Sequence, residues 1–272
     1  MTVSIATADW LRKPATQKIM ALLSSVDGID PPRFVGGCVR NTLMQRTVDD
    51  IDIATPMRPE AVMNCLQAGG IKTLPTGIEH GTVTAIIAHE PFEITTLRRD
   101  VETDGRRAVV AFTQDWQEDA QRRDFRLNAI YADQHGTLYD PTGKGISDAL
   151  AGQVIFIGAG EDRLREDYLR ILRFFRFNAW YGQAIDPAGL AACRALKDGL
   201  RKIARERIGK ELKKMLSAPK PFISLEAMAQ TGVLNVILPE ARPSDMLHNL
   251  HLNEILTRQA PDPMRRLMAL IA

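Results

Sequence analysis

Apolar and polar positions repeat with two different periods along this chain, and the change of period divides it. Over residues 9–25, Leu11, Ile19, Leu22 and Leu23 recur at helical spacing and predict a short amphipathic helix. Pro31-Pro32 break the chain, and Arg33-Phe34-Val35 read as a strand running into Gly36-Gly37. A helix at 39–45, a strand at 50–54 and a helix at 59–68 follow, the last ended by Gly69-Gly70. Strands are predicted at 82–88 and 92–97, where β-type residues lie between turn signals. Residues 98–108 (RRDVETDGRRA) are polar, carry a glycine and read as a mobile loop. Beyond them come a strand at 109–112, a helix at 116–123, and a strand pair around 129–132 and 137–139.

From about residue 150 the helical period takes over. A long helix is predicted at 162–178, others at 187–199 and 204–217, and more to the end, broken at Pro219, Pro239 and Pro261. The fold class is therefore α+β: a mixed sheet with flanking helices in front and an all-helical region behind. Boundaries fall at 1–149, 150–217 and 218–272. The last residues, PMRRLMALIA, read as the middle of an apolar-faced helix without a capping signal, the expectation for part of something longer.

Composition narrows the classes. With 45% hydrophobic and 25% charged residues in 272, the chain can bury a sizeable core. No apolar run approaches the roughly 18 residues of a membrane span, and the start, MTVSIATADWLRKPA, is too polar for a signal peptide. Cys38, Cys65 and Cys193 are odd in number and widely spaced, which fits a reducing cytoplasm rather than a disulfide framework. Net charge is +2, but residues 161–214 hold 14 Lys/Arg against 8 Asp/Glu. A basic helical half suits a polyanion partner, though a solvated helical surface would look the same.

The first chemical signal is Asp50-Ile51-Asp52-Ile53. In a strand the two carboxylates share one face and the isoleucines the other. Paired carboxylates repel unless cations share the site. Mg²⁺ takes one or two carboxylates and lets substrate phosphates complete its shell. Alone, such a pair is more often a solvated strand face. Here Gly36-Gly37 precedes it between a strand and a helix, where backbone N–H groups can approach phosphate, and Arg40 lies one turn in. Glu93, in PFEITTLR, is a candidate third carboxylate for a two-metal site.

These residues resemble a known family. Gly36, Gly37, Val39, Arg40, Asp50, Asp52, Ala54 and Thr55 look like the first motif of the bacterial and eukaryotic (class II) tRNA nucleotidyltransferases and their poly(A) polymerase relatives. Arg122, Arg123, Asp124, Phe125, Asn128 and Ala129 resemble the second motif, which contacts ribose and phosphate. Asp140, Pro141, Gly143 and Asp148 resemble the third. Glu166, Asp167, Arg170 and Arg173 resemble the nucleotide-selecting motif, and Arg205, Glu206, Arg207, Glu211 and Leu212 the fifth. The resemblance implies a polymerase β-like head at 1–149, a helical neck at 150–217 and the start of a helical body at 218–272. It implies Asp50 and Asp52 as ligands of two Mg²⁺ ions, with Glu93 as third acid. It implies CTP and ATP as substrates, and the tRNA 3′ end as partner, with no role for a membrane; nothing in the sequence sets an oligomeric state. One departure stands out: Asn41 occupies a place where the family usually has Asp.

If 162–178 is one helix, Asp167 and Arg170 lie three apart on one face. They then read either as an intrahelical ion pair or as a template for a base edge. A carboxylate only accepts hydrogen bonds and a guanidinium only donates. Cytosine and adenine each offer an amino donor beside a ring acceptor and match; uracil and guanine present the reverse. The resemblance implies the template role. It also implies a flexible element at 99–108 that helps the change from C to A.

Three rivals compete with CCA addition. A poly(A) polymerase of the family would tend to show a basic stretch where this chain has TGIEHGT at 76–82. A partial enzyme adding only CC or only A is a second, and the retained 99–108 element counts against CC alone. A non-catalytic RNA-binding scaffold is the third, and Asp50, Asp52 and Glu93 count against it.

Overall fold

A computed structural model describes residues 3–103, 108–243 and 245–272, with side chains of 100–103 and 108–110 outside that description. The chain forms two compact units that divide between Leu150 and Ala151.

The first unit opens with α1 (Asp9–Arg12) and α2 (Pro14–Ser24). The single helix expected at 9–25 is thus split. Pro14 forces Lys13 into an extended conformation (φ −56°, ψ 135°) and then takes the first position of α2. There follow β1 (Arg33–Val35), α3 (Gly37–Leu43), β2 (Asp52–Thr55) and α4 (Pro59–Ala68). Strands β3 (Lys72–Gly77), β4 (Thr82–Ile87) and β5 (Glu90–Thr96) complete one side of the sheet. β3 escaped the sequence reading because it is a polar edge strand carrying Pro75, which edge positions tolerate.

Next come β6 (Arg98–Thr103), β7 (Ala108–Phe112), α5 (Trp116–Gln121), β8 (Tyr131–Ala132), β9 (Leu138–Tyr139) and α6 (Gly145–Ala151). The expected loop at 98–108 is corrected: β6 and β7 pair antiparallel as a separate two-stranded ribbon. The polar sequence of β6 concealed it, whereas β7 coincides with the strand expected at 109–112. Residues 104–107, the middle of the element at 99–108, lie outside the described residues.

The main sheet runs β3-β4-β5-β2-β1-β8-β9. It is mixed, β2 and β5 pairing in parallel and the other neighbours antiparallel. Phe34, Ile53, Phe92, Ile94 and Tyr131 are fully buried along it. The alternation read from Asp50 to Ile53 is present as burial: Ile51 and Ile53 are buried, Asp52 is half-buried and Asp50 exposed. The strand is shorter than expected, so Asp50 lies in the extended segment just before β2.

The second unit is helical: α7 (Gly160–Glu166), α8 (Leu169–Tyr181), α9 (Pro187–Leu196), α10 (Arg205–Leu216), α11 (Phe222–Thr231), α12 (Val233–Ile237), α13 (Asp245–Leu256) and α14 (Pro263–Ile271). The continuous helix expected at 162–178 is corrected: Asp167 is extended (φ −149°, ψ 106°) and separates α7 from α8. Its Oδ1 accepts from Leu169 N at 3.0 Å, the local side-chain bond by which Asp competes with helix propagation. Toward the end Arg266, fully buried, donates to Glu254 Oε2 (2.7 Å) and to the carbonyls of Leu216 (2.7 Å) and Ala218 (2.6 Å), knotting α14 to α13 and α10.

Candidate active site

In the first unit the chemistry gathers where β1, β2 and β5 lie side by side. β1 is followed by Gly36, whose φ of +73° with ψ of −123° is closed to residues with a side chain. That turn starts α3 and brings the Gly36 Cα beside the β2 carboxylate; a Cβ there would stand 3.6 Å from Asp52 Oδ2. The antiparallel register sets Val35 opposite Asp52, and the parallel register sets Glu93 opposite Asp52 on its other side. Partners in register point to the same sheet face, so the Asp52 and Glu93 carboxylates are neighbours.

Electrostatics report the same grouping. Burial pushes the Asp52 carboxyl up to about 6, Glu93 and Asp50 push further in that direction, and Arg123 and Arg40 oppose it. A half-buried acid among acids is short of positive charge. Among the described residues no group of three or more His, Cys, Asp and Glu forms a ready cage for a metal. Two carboxylates backed by a third fit Mg²⁺ nonetheless, because that ion keeps waters and substrate oxygens in its shell.

Each arginine is held from behind. Arg40, buried on α3, donates from Nη1 to Asn128 Oδ1, and Asn128 Nδ2 donates to Asp124 Oδ1 at 2.9 Å. Asn41 Oδ1 accepts from Arg40 Nε (3.1 Å) and Nη2 (2.8 Å), while its Nδ2 donates to the Thr47 carbonyl at 2.7 Å. Arg123 Nη2 and Nε donate to Asp119 Oδ2 at 2.9 and 3.2 Å. Asp119 itself was missed in the sequence, although its spacing of three and four to Arg122 and Arg123 on a predicted helix signals such a cluster.

In the second unit Asp167 and Arg170 meet other partners instead of forming the intrahelical ion pair that was one of their two readings. Asp167 Oδ2 pairs with Arg207 Nη2 of α10 at 2.9 Å. Arg170 Nη1 pairs with Glu166, which also meets Arg163 at 2.6 Å, and bonds the Arg163 carbonyl at 2.9 Å. With the helix broken at Asp167, the two side chains no longer follow from one helical face. Arg173, on α8, stacks over Phe177 with 5.5 Å to the ring centroid.

A mixed sheet with a glycine turn and acids on adjacent strands, followed by a helical unit, is the architecture of nucleotidyltransferases that end in helical RNA-binding regions. Residues 32–155 match the poly A polymerase head domain, and residues 182–244 the probable RNA and SrmB- binding site of polymerase A. The chain is 43% identical over 208 residues to CCA tRNA nucleotidyltransferase 1, mitochondrial, of Danio rerio, covering 74% of this chain and 47% of that protein. It is 36% identical over 232 residues to the CCA-adding enzyme of Geobacillus stearothermophilus, covering 84% of this chain and 55% of the relative. The crystal structure of the Bacillus stearothermophilus CCA-adding enzyme in complex with CTP matches with a TM-score of 0.72 at 34% identity, over 81% of this chain and 53% of that one. An apo CCA-adding enzyme structure, 19% identical, shares the fold with a TM-score of 0.76, over 94% of this chain and 62% of that one.

The chain belongs to the class II family of CCA-adding tRNA nucleotidyltransferases and poly(A) polymerases. It spans about half the length of the curated relatives it matches. Among the described residues no helix is long and apolar enough to cross a membrane.

Proposed function

We propose that this chain adds CMP and AMP to the 3′ end of tRNA, by in-line attack of the terminal hydroxyl on the α-phosphate of CTP or ATP with loss of pyrophosphate. The reading rests on Asp52, set beside Glu93 in the sheet and short of positive charge next to the Gly36-Gly37 turn. Asp50 and Asp52, backed by Glu93, would hold two Mg²⁺ ions, which when bound ease ionisation of the attacking hydroxyl and neutralise the leaving pyrophosphate. The backbone at Gly36 and Gly37 receives phosphate oxygens, and Arg40 and Arg123 supply fixed positive charge that needs no reorganisation during reaction. Asp124 and Asn128 serve by locking Arg40, with ribose as their outward partner. In the helical unit Asp167 accepts from the exocyclic amine of C or A, and Arg170 donates to the adjacent ring nitrogen, with Arg173 alongside. Reading the base this way requires Arg207 to yield Asp167, or to share it.

We keep residues 1–149, 150–217 and 218–272 as head, neck and start of body. The CTP-bound and named CCA-adding relatives favour this activity over poly(A) synthesis. Free thiols at Cys38, Cys65 and Cys193 favour a reducing compartment such as the cytoplasm.

The decisive assay supplies a tRNA lacking its last three nucleotides, Mg²⁺ and each triphosphate alone, then CTP with ATP. Two additions with CTP and a third only when ATP is present are expected. A long ladder with ATP alone would instead assign poly(A) synthesis. No addition, with Mg²⁺–CTP still bound, would reduce the chain to a nucleotide-binding scaffold.

A further inference from the structure

Asp119 is 1% exposed and collects more hydrogen bonds than any role in α5 requires. Its Oδ1 accepts from Arg122 Nε (2.9 Å) and Nη2 (2.7 Å) and from the backbone N of Arg98 (3.3 Å). Its Oδ2 accepts from Arg123 Nε (3.2 Å) and Nη2 (2.9 Å) and from the Tyr131 hydroxyl (2.7 Å). A carboxylate offers about four lone-pair sites, so this one is saturated. Burial alone would raise its pKa; the guanidiniums of Arg123 and Arg122 hold it well below the usual carboxylate range, so it is ionised at every working pH.

Two features set the cluster apart from a structural ion pair. Asp119 grips Arg123 by one edge, Nε and Nη2, and Nη1 has no hydrogen-bond or ion-pair partner among the described residues. That free edge belongs to a guanidinium tied to the same sheet as Asp52: Arg123 Nε also meets the Tyr131 hydroxyl at 3.3 Å, Tyr131 pairs with Val35, and Val35 pairs with Asp52. The second feature is the Arg98 N–H, which opens β6. The ribbon's root is fastened to the same carboxylate, and Glu118, one residue earlier, accepts from Thr113 Oγ1 at 2.6 Å where β7 has just ended. Tyr131 locks the cluster from the sheet side, its ring edge-on to Trp116 with centroids 5.2 Å apart. As a source of stability alone, a buried ion cluster offers little over apolar packing.

We propose that Asp119 is a positioning residue for nucleotidyl transfer, aiming the free edge of Arg123 toward the Asp52 site while anchoring the root of the β6–β7 ribbon, so that ribbon position and arginine aim are set together. The inference rests on the nucleotidyl-transfer reading above. Misplacing a charged group by about 1 Å can cost on the order of 10²-fold in rate. Asp119→Asn keeps the shape and removes the charge; Tyr131→Phe removes the hydroxyl's bonds to Asp119 Oδ2 (2.7 Å) and Arg123 Nε (3.3 Å) and keeps the packing.

The test measures kcat and KM for CTP on the shortened tRNA, together with melting temperature, for wild type and both variants. Expected is a loss of about 10- to 100-fold in kcat for Asp119→Asn and a smaller loss for Tyr131→Phe. KM for CTP should change less than the rate, and Asp119→Glu should recover part of the loss. The Arg123 Nε–H resonance, assigned with Arg123→Lys, should be seen in wild type and vanish in Asp119→Asn. If Asp119→Asn does not fold, Tyr131→Phe decides. A folded variant with wild-type kcat overturns the proposal, and inactivity of the wild type would instead overturn the functional reading beneath it.

Discussion

At the scale of single residues the site turns on one carboxylate, Asp52, that burial makes costly to charge, with Asp50 and Glu93 exposed beside it. Asp52 has a folded value of about 6 against an ordinary 3.8, caused first by burial and then by Glu93 and Asp50. A carboxyl raised on folding binds its proton more tightly in the native state, so its contribution to stability falls as pH rises from about 4 through 6. Two units correspond to about 3 kcal/mol at most. Without Mg²⁺, Asp52→Asn should therefore be more stable than wild type at pH 7, by roughly 1–3 kcal/mol, and equal to it near pH 4. Urea midpoints at the two pH values check this; a variant less stable at pH 7 would refute it. Mg²⁺ with CTP should raise the melting temperature of wild type but not of the variant. Asn41 yields a second prediction. Its amide accepts from Arg40 and donates to Thr47, and a carboxylate could do only the first. Asn41→Asp should cost about 1 kcal/mol and leave CTP turnover within a few-fold. A gain in stability would mean that the strengthened pairing with the Arg40 guanidinium outweighs the lost Thr47 bond. The identity of residue 41 was readable in the sequence, but not its meaning, because the partner is a backbone carbonyl six residues on.

At the scale of elements, the sequence revealed what periodicity controls and hid what single side chains decide. Helix α4 stands where 59–68 predicted it, since apolar spacing, an initial proline and terminal glycines all agree. The break at Asp167 was invisible: the apolar pattern runs across it, and one side-chain-to-backbone bond overrides the pattern. Asp167 thus accepts from the first N–H of α8, pairs with Arg207 and is the proposed reader of the base. Asp167→Ala should lose discrimination against UTP and GTP more than affinity for triphosphate, and the lost bond to Leu169 N should cost about 1 kcal/mol. Unchanged selectivity, measured as the ratio of kcat/KM for CTP to that for UTP, would remove Asp167 from the reading. Strand β6 was read as part of a loop because its sequence is polar, whereas β7 was predicted at 109–112, and the same stretch was singled out for function. Deleting 102–107 should spare addition of C and damage addition of A. Equal loss of both would make the ribbon a structural element only.

At the scale of the whole molecule, charge is distributed unevenly between the units. The acids of the proposed metal site belong to the first, while α10 and the turn before it expose Arg201, Lys202, Arg205, Lys210, Lys213 and Lys214 in the second. This asymmetry was legible as a count along the sequence, but exposure was not. Of α10's charged residues, Glu211 is buried against Arg176 at 2.6 Å, whereas the lysines face solvent. Binding of a polyanion to such a surface is driven by counterion release, so its affinity should fall steeply with salt. For an RNA of mixed structure each phosphate contact contributes about 0.7–0.9 to the slope of log K against log salt. Replacing Lys210, Lys213 and Lys214 together by Gln should weaken tRNA binding and flatten that slope by about 2. Mg²⁺–CTP binding should be unaffected, because none of the three lysines is among the residues proposed to hold the triphosphate or to read the base. Titrations at several salt concentrations measure both quantities. A weaker affinity with an unchanged slope would show that the lysines act through the fold of α10 rather than through phosphate, and the RNA-gripping surface would then have to be sought elsewhere in the helical unit.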